Sequence, residues 1–248
     1  MKMSSLYCYL GSALMLAAAS LPVCAEDILS KNQMTQAAQF LPAPPDTSDL
    51  RFQSDLAQYH WGKSMRQTPR GERAIKDANF DIRFVFKGFS GAVGTELTPE
   101  TTPKLCRLMT KYCKIASYAA RRAKNEYGRK RPYVLFDEPT SVRKEEAYYY
   151  PTGSYPSGHA TAGWVIGLLL SEICPERQDT IMSYAWQFGQ SRVIVGYHFQ
   201  SDVDAGRFVA SSCVARFHAD ATFCKEMADA KAEVRHRLET CQKTKPAQ

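Results

Sequence analysis

Long apolar runs are scarce in this 248-residue chain once its first 25 residues are passed. The longest, Gly163 to Leu170, has eight residues, where a membrane-spanning helix needs roughly 20. No later segment is therefore expected to cross a bilayer. Alternation of apolar and polar residues never persists long enough for a half-buried strand, and no internal repeat is found, so sheet and solenoid architectures are set aside. Metal-ligand spacing is missing as well. The cysteines form no C-x-x-C pair, which disfavours a zinc site, and no metal or cofactor is expected. Charge of one sign does not dominate: 32 Lys and Arg stand against 25 Asp and Glu, a formal net charge of +7. A surplus of that size suits small anions and is also common in proteins without such ligands. No nucleic-acid polymer is expected as a partner.

What is present begins at the N-terminus. Lys2 precedes an apolar stretch from Leu6 to Leu21, which runs into Val23-Cys24-Ala25 and then Glu26-Asp27. A basic start, a short apolar segment and small residues at −3 and −1 form a secretory signal, residues 1–25, with cleavage after Ala25. The rival readings are a membrane anchor and a lipid-modified Cys24; Val23 is bulky where a lipoprotein site expects a small residue. The mature chain, 26–248, is expected to be an exported, single all-α domain. The signal holds one Lys and no acid, so the mature charge is 7 − 1 = +6. Of eight cysteines, Cys8 and Cys24 lie in the signal, leaving Cys106, Cys113, Cys174, Cys213, Cys224 and Cys241. An oxidising compartment permits disulfides among them, with buried free thiols as the alternative, and sequence does not choose the pairing. Cys106 and Cys113 lie on one expected helix, about 10 Å apart, too far to bridge.

Along the mature chain, Leu41 to Asp46 (LPAPPD) reads as an extended, polyproline-like arm. A helix is expected over Ser48–Met65, and buried helix and loop over Phe80–Gly94. The clearest helix spans Thr102–Tyr127, where Leu105, Leu108, Met109, Tyr112, Ile115, Ala116, Ala119 and Ala123 recur at three- and four-residue intervals. Gly128 and Pro132 end it. A loop, Asp137–Tyr155, follows. Further helices are expected over Ser157–Ile173, Asp179–Gly189, Ser201–His218 and Ala221–Thr240, the last with Phe223, Met227, Ala230, Val234 and Leu238 on one stripe.

Three groups of residues carry candidate chemistry. The first is Lys124, six intervening residues, then Arg131-Pro132. The second is Pro156-Ser157-Gly158-His159. The third is Ser191-Arg192, five residues, His198, three residues, Asp202. Alone, each has an ordinary explanation: a solvated basic face, a turn opening a helix, a surface His–Asp pair. Together they complete one reaction. Phosphoryl transfer needs positioning and neutralisation of charge on three equatorial oxygens. Lys124, Arg131 and Arg192 supply cations, and the guanidiniums can donate bidentately. Ser157 and Gly158 open a helix, where free N–H groups favour an anion, and glycine permits close approach. Two histidines remain for bond making and proton transfer. His60, His218 and His236 have no matching partners and read as structural or exposed.

K-x6-R-P, P-S-G-H and S-R-x5-H-x3-D together resemble the phosphatidic-acid-phosphatase type 2 and vanadium-haloperoxidase superfamily at all of its fixed motif positions. With Gly153-Ser154-Tyr155 ahead of Pro156 and the export signal, the chain resembles the bacterial class A non-specific acid phosphatases. The resemblance extends from the LPAPP arm to about residue 235 and implies a helical bundle of the acid phosphatase/vanadium-dependent haloperoxidase type. It further implies His198 as the nucleophile, Asp202 as its orienting partner and His159 as the acid for the leaving alcohol. Lys124, Arg131, Arg192, Ser157 and Gly158 would hold the phosphoryl oxygens, and Ser191 would give a supporting hydrogen bond. Expected substrates are small phosphate esters, including nucleotides, with no metal required, inhibition by vanadate, preference for mildly acidic pH and a homo-oligomeric state. His159 is expected to be protonated while His198 is neutral. Tyr148–Tyr150 and Tyr155 either line the leaving-group side or order the loop. The alternatives are an apyrase-like phosphoanhydride hydrolase, a vanadate-dependent haloperoxidase and a non-catalytic phosphate-binding module.

Overall fold

The computed structural model describes residues 34–79 and 81–243; the expected signal, residues 1–25, lies outside them. Among the described residues every regular element is helical. The principal helices are α1 (Leu50–Ser64), α2 (Pro69–Asp77), α3 (Ile82–Val93), α4 (Pro103–Tyr127), α5 (Gly158–Ile173), α6 (Gln178–Val195), α7 (Gln200–Phe217) and α8 (Ala221–Lys243). Leu41 to Asp46 runs without regular structure, as an extended arm should.

Helix α5 is the hub. It packs against α4, α6 and α7, and Val165, Ile166, Leu169, Leu170 and Ile173 are completely buried. Each such side chain contributes about 1.5–3 kcal/mol relative to exposure. The stripe on α4 faces this core: Leu105, Leu108, Met109, Tyr112, Ala116, Ala119 and Ala123 are all buried, with Ile115 at its edge. Phe223, Met227, Ala230 and Val234 of α8 close the far side, where Glu233 accepts from the Lys104 and Leu105 N–H groups at the start of α4. That carboxylate satisfies two orphan donors of a helix whose N-cap, Thr102, makes no side-chain cap.

Two readings of the sequence need correction. Helix α2 was not anticipated, although Thr68-Pro69 is a cap followed by an N1 proline, and the Thr68 hydroxyl accepts from the Gly71 N–H. Gly189 does not end α6. A Cβ there would lie 3.1 Å from Val203 Cγ1 and 3.2 Å from an Arg207 nitrogen, so this glycine lets α6 and α7 approach closely. The helix continues to Val195 and stops at Gly196, whose φ of 93° is left-handed. Ser191 and Arg192 consequently stand on a rigid helix end rather than a loop. Of the two alternatives left open for the cysteines, the structure has free thiols: Cys106, Cys113, Cys174 and Cys213 are buried, and Cys224 and Cys241 lie nearer the surface. Burial pushes the Cys113 thiol up to about 12. The expected loop 137–155 is confirmed in outline, with short turns at Arg143–Glu145 and Glu146–Tyr149.

Candidate active site

Four helix ends converge on one cup. Lys124 lies in the last turn of α4 and Arg192 in the last turn of α6. Ser157 is the N-cap of α5, its hydroxyl accepting from the Ala160 N–H, and Gly158 and His159 begin the helix. His198 lies in the α6–α7 turn and Asp202 in the first turn of α7. Arg131 precedes the short turn Pro132–Leu135. Cations at helix C-termini and an open helix N-terminus complement the helix dipoles, and together they create a positive cup.

The three cations are held differently. Lys124 Nζ donates to the Gly153 and Ser154 carbonyls, each at 3.0 Å. Arg131 is 3% exposed and donates to Thr152, Gly153 and Tyr197. Arg192 is 1% exposed, and its Nε and Nη1 have no hydrogen-bond partner among the described residues. Its guanidinium lies over the Tyr197 ring at 4.5 Å and near Tyr149 at 5.8 Å, while Arg131 lies 5.0 Å from the Tyr149 ring. Mutual repulsion registers in the acidities. Burial first, and then Arg131, pulls Lys124 well below its ordinary value; burial and then Arg192 pull Arg131 down to about 10. A buried cation cluster with unspent donors is suited to an anion.

The two imidazoles are fixed in opposite tautomers. Arg131 Nη1 lies 3.1 Å from His198 Nε2. A guanidinium only donates, so Nε2 carries the lone pair. His198 Nδ1 lies 3.2 Å from Ser154 Oγ and 3.4 Å from Asp202 Oδ2, while Ser154 Oγ donates to the same Oδ2 at 2.5 Å. His159 Nε2 donates to the Asp77 carbonyl at 2.8 Å, which leaves the lone pair on Nδ1. Its ring stacks on Phe188, with centroids 4.3 Å apart at 14°. Burial and then the site cations hold both histidines well below the ordinary imidazole value. Burial, reinforced by Arg192, thus works against the protonated form expected of His159.

Lys124, Arg131, Arg192, His159 and His198 feel one another's charges, and Asp202 stands behind His198. Gly158 is open on its outer side, since a Cβ would meet nothing within 4 Å. Ser191 gives its hydroxyl to Asp77 Oδ2 at 2.7 Å and accepts from Arg70 at 3.0 Å. Tyr149 contacts the cations, whereas Tyr148 and Tyr150 are largely exposed. Tyr155 points away from the cup: its hydroxyl donates to the Pro42 carbonyl and its ring packs on Tyr127, so it secures the extended arm. His60 and His236 are exposed, and His218 meets Glu172 at the surface.

Sequence reasoning missed Asp55, Asp77, Arg129 and Ser154. Arg129 joins Asp55 Oδ2 at 2.7 Å to Asp202 Oδ1 at 2.6 Å. Asp55 did carry a signal, an acid on the buried stripe between Phe52 and Tyr59 of α1. Asp77 did not, because its contribution to His159 is a backbone carbonyl. Among the described residues, no group of three or more His, Cys, Asp or Glu side chains is gathered as for a metal ion.

Fold and site thus define an all-helical protein with a buried cationic cup at its helix ends, of the kind that takes a tetrahedral oxyanion. The PAP2 superfamily model matches residues 109–223, the span holding every motif residue above. A non-specific acid phosphatase of Providencia stuartii is 42% identical over 206 residues, covering 83% of each chain. The non-specific acid phosphatase of Salmonella typhimurium is 37% identical over 79% of this chain and 78% of its own length. An acid phosphatase of Zymomonas mobilis is 35% identical over 77% and 73% respectively. The chain belongs to the non-specific acid phosphatases of the PAP2 superfamily and is a phosphoric monoester hydrolase. No helix among the described residues is long and apolar enough to cross a membrane.

Proposed function

We propose that this phosphatase acts in the periplasm, without a metal, on a broad range of small phosphate monoesters, through a phosphohistidine on His198. The observation that carries the reading is Arg192, a buried guanidinium with two nitrogens that have no hydrogen-bond partner among the described residues, beside Arg131 and Lys124. Cations stand where other phosphatases would need a metal to neutralise the equatorial oxygens. Lys124, Arg131, Arg192 and the N–H groups opening α5 hold those oxygens. The lone pair on His198 Nε2 attacks phosphorus as the P–O ester bond breaks, and a proton brought in by the monoanionic ester and held on His159 Nδ1 passes to the leaving oxygen. Water then attacks the phosphohistidine, giving its proton to His159. The N–P bond breaks, its electron pair returns to Nε2, and inorganic phosphate leaves. Asp202 and Ser154 hold Nδ1–H throughout, so the ring stays in one tautomer.

The depressed basicity of His159 gives the acid preference a specific origin. A monoanionic ester can carry in the proton that the buried imidazole lacks, and the anion offsets the cations that depress it. Activity is then expected to fall as pH rises through the second phosphate pKa, near ~6. Export rests on the signal read in residues 1–25. Hydrolysis of nitrophenyl phosphate, nucleoside monophosphates and ATP across about pH 4 to 9, with and without chelator, tests the reading. Monoesters are expected to be cleaved best on the acid side, with chelator having no effect and vanadate inhibiting as a five-coordinate mimic. Loss of activity in chelator, restored by a divalent ion, would overturn the metal-free part. A clear preference for ATP would move the substrate class to phosphoanhydrides.

A further inference from the structure

We infer that Arg129, clamped by Asp55, is a positioning residue for His198: it fixes the carboxylate and the helix start that set this imidazole's direction and basicity. The inference rests on the nucleophile reading above and concerns residues at none of the fixed motif positions. Arg129 is buried, its side chain 8% exposed, between two carboxylates of 3% and 0% exposure. One nitrogen, Nη1, donates to Asp202 Oδ1 at 2.6 Å and to Ser201 Oγ at 2.7 Å. The other, Nη2, donates to Asp55 Oδ2 at 2.7 Å and more weakly to the Pro45 carbonyl at 3.3 Å. Its plane lies 4.4 Å from the centre of the Phe199 ring, so the guanidinium is held on a face as well as at its edges.

The consequence is geometric first. Asp55 Oδ1 accepts from the Ser201 N–H at 2.8 Å and Oδ2 accepts from its hydroxyl at 2.6 Å. A side chain of α1 thereby caps the N-terminus of α7, the helix turn that carries Asp202. Asp202 Oδ2 in turn accepts from the Phe199 N–H at 2.8 Å and from Ser154 Oγ. With Oδ1 anchored to Arg129, Oδ2 is left facing Ser154 and His198 Nδ1. A carboxylate free to rotate would not keep one oxygen there.

The consequence is also electrostatic. Asp202 alone would make His198 strongly basic and promote its protonation, which would occupy the attacking lone pair. Sharing that carboxylate with a guanidinium weakens its pull on the imidazole, while Asp55 prevents Arg129 from adding an uncompensated cation to a cup that already holds three. Burial and repulsion from Arg131, Lys124 and Arg192 then keep His198 unprotonated.

Two variants test this. Arg129→Lys keeps the charge and loses the fork that spans both acids. Asp55→Asn keeps the shape and the acceptor for Ser201 while removing the charge that restrains Arg129. Each is expected to lower kcat about 10- to 100-fold. KM and the affinity for inorganic phosphate should stay within about 3-fold, and the pH dependence of kcat should shift, because the oxygens' ligands are untouched while the imidazole is not. A purely structural cap predicts a lowered melting temperature with kcat and its pH profile unchanged in the folded fraction, and that result overturns the inference. Should Arg129→Lys fail to fold, Asp55→Asn decides alone; should both lose phosphate affinity and kcat in equal measure, the residues shape the cup rather than the imidazole, and the inference fails. His198→Ala is measured alongside: turnover retained there sinks the nucleophile reading itself, a different outcome.

Discussion

The surroundings of His198 are charged and hydrogen-bonded at both ring nitrogens, whereas His159 rests on a phenyl face and donates to a main-chain carbonyl, with the Arg192 charge nearby. Both rings are buried and both are pushed toward neutrality. They differ in what holds them. His198 meets Arg131, Ser154 and Asp202; His159 meets Asp77 and Phe188. A carboxylate behind an imidazole stabilises the charge that develops when its other nitrogen bonds phosphorus. A carbonyl behind an imidazole fixes the tautomer with less stabilisation of charge, which suits a group that must give its proton up. Two copies of one residue are thus differentiated for two proposed roles by their partners.

The largest expected effect breaks the comparison at His198. His198→Ala should reduce kcat by about 10⁴-fold or more while vanadate still binds, measured by turnover and by inhibitor titration. His159→Ala should cost less, about 10²–10⁴-fold, and the loss should shrink for nitrophenyl phosphate, whose leaving group scarcely needs a proton. Equal losses for nitrophenyl and alkyl phosphates would remove the distinction drawn here. Arg192→Lys keeps a charge and loses the unspent donors; kcat/KM is expected to fall about 10²-fold, the usual cost of one oxyanion donor.

The smallest effect sharpens the comparison through stability. Both histidines have folded-state pKa values depressed below the unfolded value of about 6.5. Below that pH the unfolded chain binds protons that the folded chain refuses, so stability falls as pH falls and levels off only once the folded-state values are passed. The melting temperature of the unliganded protein should therefore drop between about pH 7 and pH 5, and less so with phosphate bound. A flat profile would contradict the neutral assignment of the two rings.

Much of this was legible in residue order, for physical reasons that vary with the element. The α4 stripe was clear because its apolar spacing repeats through 25 residues of one helix. Helix α2 was hidden because its nine residues are mostly charged or small, with Thr68-Pro69 as the remaining mark. Gly189 misled because a glycine required for helix contact looks the same as one that ends a helix. At the site, the motif residues were readable because they are local in sequence within each group. Asp77 was not, since a main-chain carbonyl leaves no trace in residue identity. Arg129 was masked by nearby Arg131: two arginines separated by Lys130 point to different partners, and only the fold separates them.

The most direct test is to stop the reaction rapidly with a slow substrate, digest the protein under alkaline conditions and find the phosphoryl group by mass spectrometry. One acid-labile, alkali-stable phosphate is expected on the His198 imidazole. Phosphate on another side chain, or direct transfer to water with inversion at phosphorus, would contradict it.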